Sequence, residues 1–534
     1  MEARTETERS AGSRTEGAEA EGGNGAAPAR ETIEVHRPAD GSVIATVPVD
    51  PPDRVREVVS RVRSAQPAWE AIGISQRYRW LGQMRDWLID NGERIADVMQ
   101  EESGKVRADA ALEVPYLCDA INFYGTQGRR FLADERPSPH LPLLRTKRLR
   151  VVYRPYPVVG IISPWNFPLM LSFGDAIPAL AAGAAVVIKP SEFTPQCLLE
   201  LLRGWRDEVR GPDVFDVVTG MGETGGALVD EADCIGFTGS DRTGREVMRR
   251  AADTLTPVSL ELGGKDPAIV LGDADIDRAV NATAFGGLIN GGQVCTSIER
   301  VYVEEPIYDE FVERLTAKVR TLRQGVDGRD YNAEVGAMAT PAQAEIVSDH
   351  VEDARERGAR ILTGGRRGDG PGDWYEPTVI ADADHSMKVM KDETFGPVIP
   401  VMKVRDAEEA IRLANSTRYG LSGSVFAGDT ERGEEIAKRL EAGSCNVNDV
   451  LISYSCLNLP MGGWKDSGIG FRHGAQGIRK FLRSESITSP RLPTPKSEPL
   501  WFPYEPRRRR VIARLQRFLN ARGLRNRLGI RDRG

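Results

Sequence analysis

The stretch VVGIISPWNFP, Val158 to Pro168, decides the fold. Its first part, VVGII, is an unbroken apolar run without polar alternation, which reads as a strand buried on both faces. Its second part sets Trp165, Asn166 and Phe167 between two prolines, which blocks a helix and fixes a loop at the strand's end. Toward the C-terminus the rhythm repeats. ALAAGAA (179–185) ends a helix at a glycine, VVIKP (186–190) is another buried strand, and LLELLRGWRDEV (198–209) is helical. FDVVTG (215–220) and CIGFTG (234–239) are strands. This β-α-β-α-β order implies a parallel sheet with helices on its faces, Rossmann-like if the crossovers are right-handed. Toward the N-terminus, RLRVVYRPYP (148–157) alternates like a hairpin arm. A helix is expected from Asp50-Pro51, with Asp50 as cap and Val55, Val58, Val59 and Val62 on one face. Residues 1–30 lack large apolar side chains and are expected to be disordered. A second αβ unit begins near LELGGKDPAIVL (260–271), includes the strand RVYVEE (300–305), and runs to about residue 480.

Composition narrows the function. The chain has 534 residues, enough for two or three domains, and a net charge of −7, which carries no nucleic-acid signature. Its 6 cysteines form no CxxC pair and its 5 histidines no HExxH, so neither disulfides nor a metal site is expected. No apolar signal segment or membrane-length uncharged run is present, which points to a cytoplasmic enzyme.

Four short stretches carry the chemistry. In SPWNFP the rigid loop can present the Asn166 amide as an oxyanion donor, or hold it as a structural turn residue. In LELGGK, Glu261 lies between apolar residues before a glycine pair, where it faces either solvent or a pocket; partial burial would suit a general base. In GLINGGQVCTS (287–297), glycines before Cys295 permit close backbone approach to a ligand. A helix start there would favour the thiolate, and ordinary packing is the other reading. KDETFGPV (391–398) places Glu393 and Phe395 before a Gly-Pro turn.

The ordered set PWNFP, KPSE, FTGS, LELGGK, GGQVC, ETFGPV and PMGGWKDSG resembles the aldehyde dehydrogenase superfamily over about residues 31–490. The resemblance implies an NAD-binding domain at 31–262 with arm strands at about 144–157, and a catalytic domain at 263–475. It also implies an oligomerisation-arm strand at 476–492, completing a β-hairpin arm, and a homodimer or homotetramer. The small-molecule substrate would be an aldehyde. Cys295 would be the nucleophile, Asn166 and the Cys295 N–H would hold the oxyanion, and Glu261 would activate the water that hydrolyses the thioester. Glu261 also argues against a coenzyme-A-acylating enzyme.

GMGETG (220–225) matches GxGxxG and, taken alone, marks Gly222 for a pyrophosphate cradle. The resemblance instead implies a diphosphate near the helix after FTGS, with Ser240 as N-cap and Trp165 close by. It implies Lys189 on the adenosine ribose and Glu393 on the nicotinamide ribose. Ser163, Phe237, Gly263 and Phe395, from the same motifs, complete the expected cofactor residues. Glu192, three residues after Lys189, would accept a ribose hydroxyl and repel a 2′-phosphate, so NAD is expected over NADP.

Ile289 and Gly174 occupy positions where relatives selective for succinate semialdehyde often carry arginine. Leu171, Phe173, Val294 and VLISYSCLNL (450–459) suggest an apolar tunnel for a medium-chain or aromatic aldehyde, with a succinate-semialdehyde dehydrogenase as the alternative. Three departures stand out: Asp175 where many relatives have a lysine that helps relay protons, Met461 for the usual phenylalanine, and Phe471-Arg472 for Arg-Glu. An inert scaffold keeping the fold is the reading from another class, and a cysteine hydrolase a third, although no histidine lies within about forty residues of Cys295.

The tail, 493–534, is basic and amphipathic. Val511, Ile512, Leu515, Phe518 and Leu519 would share one helical face, after the aromatics of PLWFPYEP (499–506). Peripheral membrane contact is one reading, and an arm packed on the protein's own acidic surface another.

Overall fold

The computed structural model describes residues 31–529 except 495, 499 and 500. The expected disorder of residues 1–30 lies outside the described residues.

Strands follow the chain in order. β1 (Thr32–His36) and β2 (Val43–Pro48) form an antiparallel pair. β3 (Lys147–Pro155) leads into the first large sheet, made of β4 (Val158–Ile162), β5 (Ala185–Lys189), β6 (Phe215–Val217), β7 (Cys234–Thr238) and β8 (Val258–Glu261). The second sheet contains β9 (Asp266–Val270), β10 (Ile298–Glu304), β11 (Arg360–Thr363), β12 (Thr378–Ala381), β13 (Val398–Val404), β14 (Ser424–Phe426) and β15 (Asn446–Val447). β16 (Gly468–Ile469) returns to the first sheet, and β17 (Leu482–Pro490) pairs with β3.

The first sheet runs β16-β8-β7-β4-β5-β6, parallel except for β16. The chain steps outward from β4 to β6, then crosses to the other side of β4 for β7 and β8. That reversal makes the crevice between the C-terminal ends of β4 and β7 the place where an open α/β sheet binds ligands. The second sheet runs β11-β12-β13-β10-β9-β14-β15, parallel except for β11 with β12. Unbroken apolar strands such as VVGII and AVVIK are buried along their whole length because helices cover both faces. The core around the first sheet also takes in Leu457, Ile478 and Phe481 from late in the chain.

Several expectations shift. The first helix is Pro52–Ala71, with Pro51 in the cap position. Asp50 lies outside it, because its carboxylate accepts the Thr219 N–H at 2.9 Å. The four valines are buried as their spacing predicts. The helix begun at Gln196 widens over Gly204–Glu208, where Val209 N–H reaches Gly204 O at 2.9 Å. The arm keeps the expected strands: it is a ribbon of two segments far apart in sequence, with Leu482 opposite Pro155 and Pro490 opposite Lys147.

Candidate active site

The C-terminal edge of the first sheet faces the N-terminal edge of the second. Ser163, Trp165 and Asn166 follow β4, Gly239 and Ser240 follow β7, and Glu261 ends β8. From the second unit, Gly263 precedes β9, Cys295 precedes β10, and Glu393 and Phe395 precede β13. A cavity of 260 Å³ between them is lined by Trp165, Asn166, Ser240, Gly263, Cys295, Glu393 and Phe395. Sequence reasoning missed Thr238, Leu262, Gln343 and Ile346 in the same lining. The Thr340-Pro341 cap made the helix that carries Gln343 and Ile346 readable, but nothing local said which way it faces. Ser163, Lys189, Glu192, Gly222 and Phe237 lie outside the lining.

Cys295 sits in a turn between the short helix Ile289–Gly292 and β10, not at a helix start. The thiolate stabilisation expected from a helix terminus is therefore absent. Burial, and then the neighbouring Glu261 carboxylate, push the Cys295 thiol well above the ordinary range. The resting thiol donates to Glu261 Oε1, with Sγ 3.8 Å from the oxygen. The turn requires its glycines: at Gly292, with φ 72°, a Cβ would lie 2.1 Å from Gly396 O.

Asn166 is buried, and its Nδ2 donates to Gln293 O at 2.9 Å. That bond fixes the amide plane and leaves its other N–H for an oxyanion. Asn166 O accepts Lys105 Nζ at 2.7 Å and Asn290 Nδ2 at 3.0 Å. Lys105 is paired in turn with Glu113 at 2.8 Å, both fully buried, and Glu113 Oε2 accepts the N–H groups of Leu169 and Met170 at 2.9 Å each. Lys265 does the same for the opposite loop. It pairs with Glu299 at 2.6 Å, and Glu299 accepts Thr394 N–H at 2.7 Å and Phe395 N–H at 2.8 Å.

Glu261 is buried and lines a smaller hollow together with Asp175, Phe237, Arg472 and Lys480. Burial raises its carboxyl above the usual range, while the Arg472 guanidinium opposes the rise. Arg472 Nη1 forms an ion pair with Glu261 Oε2, which has no hydrogen-bond partner.

The residues present fit a nicotinamide dinucleotide. Ser163 Oγ, at the end of β4, is buried without a partner. Ser240 caps the helix Asp241–Thr254, accepting from Thr243 N–H at 3.3 Å, and lines the cavity, so an anion-binding helix terminus opens there. At Gly263 a Cβ would lie 2.5 Å from Glu393 Oε2, so a side chain there would displace that carboxylate. Glu393 Oε1 accepts Gly264 N–H at 2.9 Å, and burial pushes Glu393 up to about 8. The Trp165 and Phe395 rings meet edge-on at 5.5 Å. Lys189 Nζ lies 3.3 Å from Glu192 Oε2 at the end of β5. Gly222 opens the helix Gly222–Glu231, and a Cβ there would meet nothing within 4 Å.

Phe167, Leu171, Ile289 and Val294 form an apolar cluster against Met170, Leu451 and Tyr454. Phe173, expected in this group, is instead fully buried in the main core, its ring 5.4 Å from Phe215. Among the described residues no group of three or more His, Cys, Asp or Glu could hold a metal ion, and no helix is long and apolar enough to cross a membrane.

A two-unit α/β enzyme with a half-buried cysteine, a buried carboxylate and a buried amide at the junction of its sheets is the class that fold and site define. The aldehyde dehydrogenase family profile matches residues 26–487. A "Putative succinate-semialdehyde dehydrogenase (NADP+) 2" of Mycobacterium ulcerans is 38% identical, over 87% of this chain and 90% of its own length. A 4,4'-diapolycopene aldehyde oxidase of Methylomonas sp. is also 38% identical, over 89% and 88%. A point mutant of betaine aldehyde dehydrogenase from Staphylococcus aureus, solved in complex with NAD+, superposes with a TM-score of 0.81 at 29% identity, over 87% of this chain and 95% of that one. The chain belongs to the aldehyde dehydrogenase family and is an NAD(P)-dependent aldehyde dehydrogenase.

Proposed function

We propose that this enzyme oxidises an apolar or aromatic aldehyde to its carboxylic acid, with NAD preferred over NADP, through a covalent intermediate on Cys295. The observation that carries the reading is the meeting of Cys295 Sγ with Glu261 Oε1 at 3.8 Å, beside a cavity that Cys295 and Asn166 both line. Cys295 gives up its proton to solvent, and its sulfur bonds to the aldehyde carbon. The aldehyde oxygen becomes an oxyanion held by Asn166 Nδ2–H and the Cys295 backbone N–H. The cofactor, when bound, accepts the hydride that leaves this carbon, and a thioester remains on Cys295. Glu261 then takes a proton from water, the hydroxide oxygen bonds to the thioester carbon, and the C–S bond breaks to release the acid. Ser163, Trp165, Ser240, Gly263, Glu393 and Phe395 would hold the cofactor beside the cavity, with Lys189 and Glu192 toward its adenosine end. The hydrolase reading lacks its base, since the hydrogen bond from the Cys295 thiol goes to a carboxylate.

The substrate class follows from the Phe167-Leu171-Ile289-Val294 cluster. The arginine of the neighbouring hollow, Arg472, is already paired with Asp175 and Glu261, so it does not serve a substrate carboxylate. Relatives of equal identity carry names with different substrates, so the cluster weighs more than either name. Cys295→Ala should reduce aldehyde oxidation by at least ~10³-fold while cofactor binding persists. Normal turnover in that variant would end the assignment.

Two partner surfaces accompany this reading. The β3–β17 ribbon stands mostly exposed, and a lone two-stranded ribbon is marginal in water, which suits pairing in a homodimer or homotetramer. The helix Pro506–Asn520 buries none of its residues, leaves Val511 64% and Phe518 45% exposed, and follows exposed Trp501, Phe502 and Tyr504. An arginine-rich helix with part of its apolar face exposed suits an anionic lipid surface.

A further inference from the structure

The hollow behind the cavity holds three buried charges, Glu261, Asp175 and Arg472, and the half-buried Lys480. Arg472 binds Asp175 in a fork, from Nε at 3.1 and 3.2 Å and from Nη2 at 3.0 Å. Nη2 also donates to Thr238 Oγ1, on the last residue of β7. The remaining nitrogen, Nη1, is the one that meets Glu261 and also approaches Tyr454 OH at 3.4 Å. Lys480 Nζ reaches Asp175 Oδ1 from the far side at 3.3 Å. The arginine backbone is fixed as well, since its N–H donates to Met461 O at 2.6 Å and its carbonyl accepts Met461 N–H at 3.0 Å.

A guanidinium is planar, so two contacts determine where its third nitrogen points. Asp175 and Thr238 therefore place Nη1 against Glu261. We propose that Arg472 is the positioning residue for the general base: braced by Asp175, it holds the Glu261 carboxylate beside Cys295 and sets the pH at which that carboxylate is ionised. This rests on Glu261 acting in deacylation.

The charged and titratable groups facing Glu261 are Arg472, Lys480, Asp175, Cys295 and Tyr454; His473, beside Arg472, is hydrogen-bonded to Tyr116 at 2.7 Å. Burial works against the carboxylate, Arg472 and Lys480 favour it, and Asp175 disfavours it. Removing the Arg472 charge must raise the pH at which Glu261 ionises, and removing the Asp175 charge must lower it. A close opposite charge moves a carboxylate by about 1–3 units.

The experiment is the pH dependence of steady-state kcat, with the pre-steady-state burst of NADH measured beside it. In Arg472→Gln the acid limb should move up by about 1–3 pH units, and in Asp175→Asn it should move down. Both should keep the burst near pH 8, and Arg472→Lys, which retains the charge, should keep the limb close to wild type. A general loss of packing would lower kcat at every pH and leave the limb in place. Limbs that stay put, or that move the same way in the Gln and Asn variants, would overturn the role of Arg472. If Arg472→Gln does not fold, the downward shift in Asp175→Asn and the unmoved limb in Arg472→Lys still decide. Glu261→Gln separates the underlying reading: a kept burst with slow turnover supports deacylation, whereas joint loss of both places Glu261 earlier and removes that reading.

Discussion

Glu192 is the residue on which cofactor choice turns. Its carboxylate stands beside Lys189 at the end of β5, so the one cation expected at the adenosine ribose is already partly neutralised. A 2′-phosphate arriving there meets a net repulsion on the order of 1–3 kcal/mol in a partly screened site. NAD should therefore give the higher kcat/KM, and Glu192→Ser should narrow the gap by roughly tenfold or more. A wild type that prefers NADP would remove the argument. At this scale the sequence exposes what is local. Cys295, Glu261 and Asn166 each sit in a short motif whose glycines or prolines mark a constrained loop. Arg472 shows only as a departure from the usual pattern, because its meaning lies in Asp175, 297 residues away along the chain. Phe173 misled because an apolar residue near a tunnel and an apolar residue in the core have the same side chain.

At the scale of elements, two buried Lys–Glu pairs each fasten a loop. Lys105–Glu113 joins the helical N-terminal region to the loop after β4, and Lys265–Glu299 joins the starts of β9 and β10 to the loop before β13. Breaking such a pair leaves an uncompensated buried charge, at a cost of about 3–5 kcal/mol. Both Lys105→Met and Lys265→Met should lower the thermal midpoint, but with different kinetic signatures. Lys105→Met loosens Asn166 and should chiefly reduce kcat. Lys265→Met loosens the Glu393 loop and should chiefly raise KM for NAD. Equal effects on both constants would show that neither clamp serves its own loop. The strands and helices themselves were largely readable, since buried strands are apolar throughout and the valine stripe of the first helix keeps helical spacing. The long-range pairing of β3 with β17 was legible only through the family resemblance, because hydrogen-bonded backbone leaves no side-chain signature of its partner.

At the scale of the whole molecule, the tail beyond the matched family region carries its own prediction. Residues 507–534 hold eleven arginines against Asp532 alone. Each arginine near an anionic surface contributes about 1 kcal/mol, and that attraction weakens with salt. The full chain should co-sediment with anionic vesicles at low salt, and a chain ending at Glu498 should not. Equal sedimentation of both, or of neither, would return the tail to the protein's own surface. A last consequence concerns biosynthesis. β16 closes the edge of the first sheet at β8, and the guanidinium that meets Glu261 comes three residues after β16. A growing chain that has completed β8 must still add the residues up to 472, which takes roughly 10–40 s at about 5–20 residues per second. During that interval the nascent enzyme carries an unsealed sheet edge and a carboxylate without its counterion, so the Cys295–Glu261 site is among the last parts of the polypeptide to mature on the ribosome.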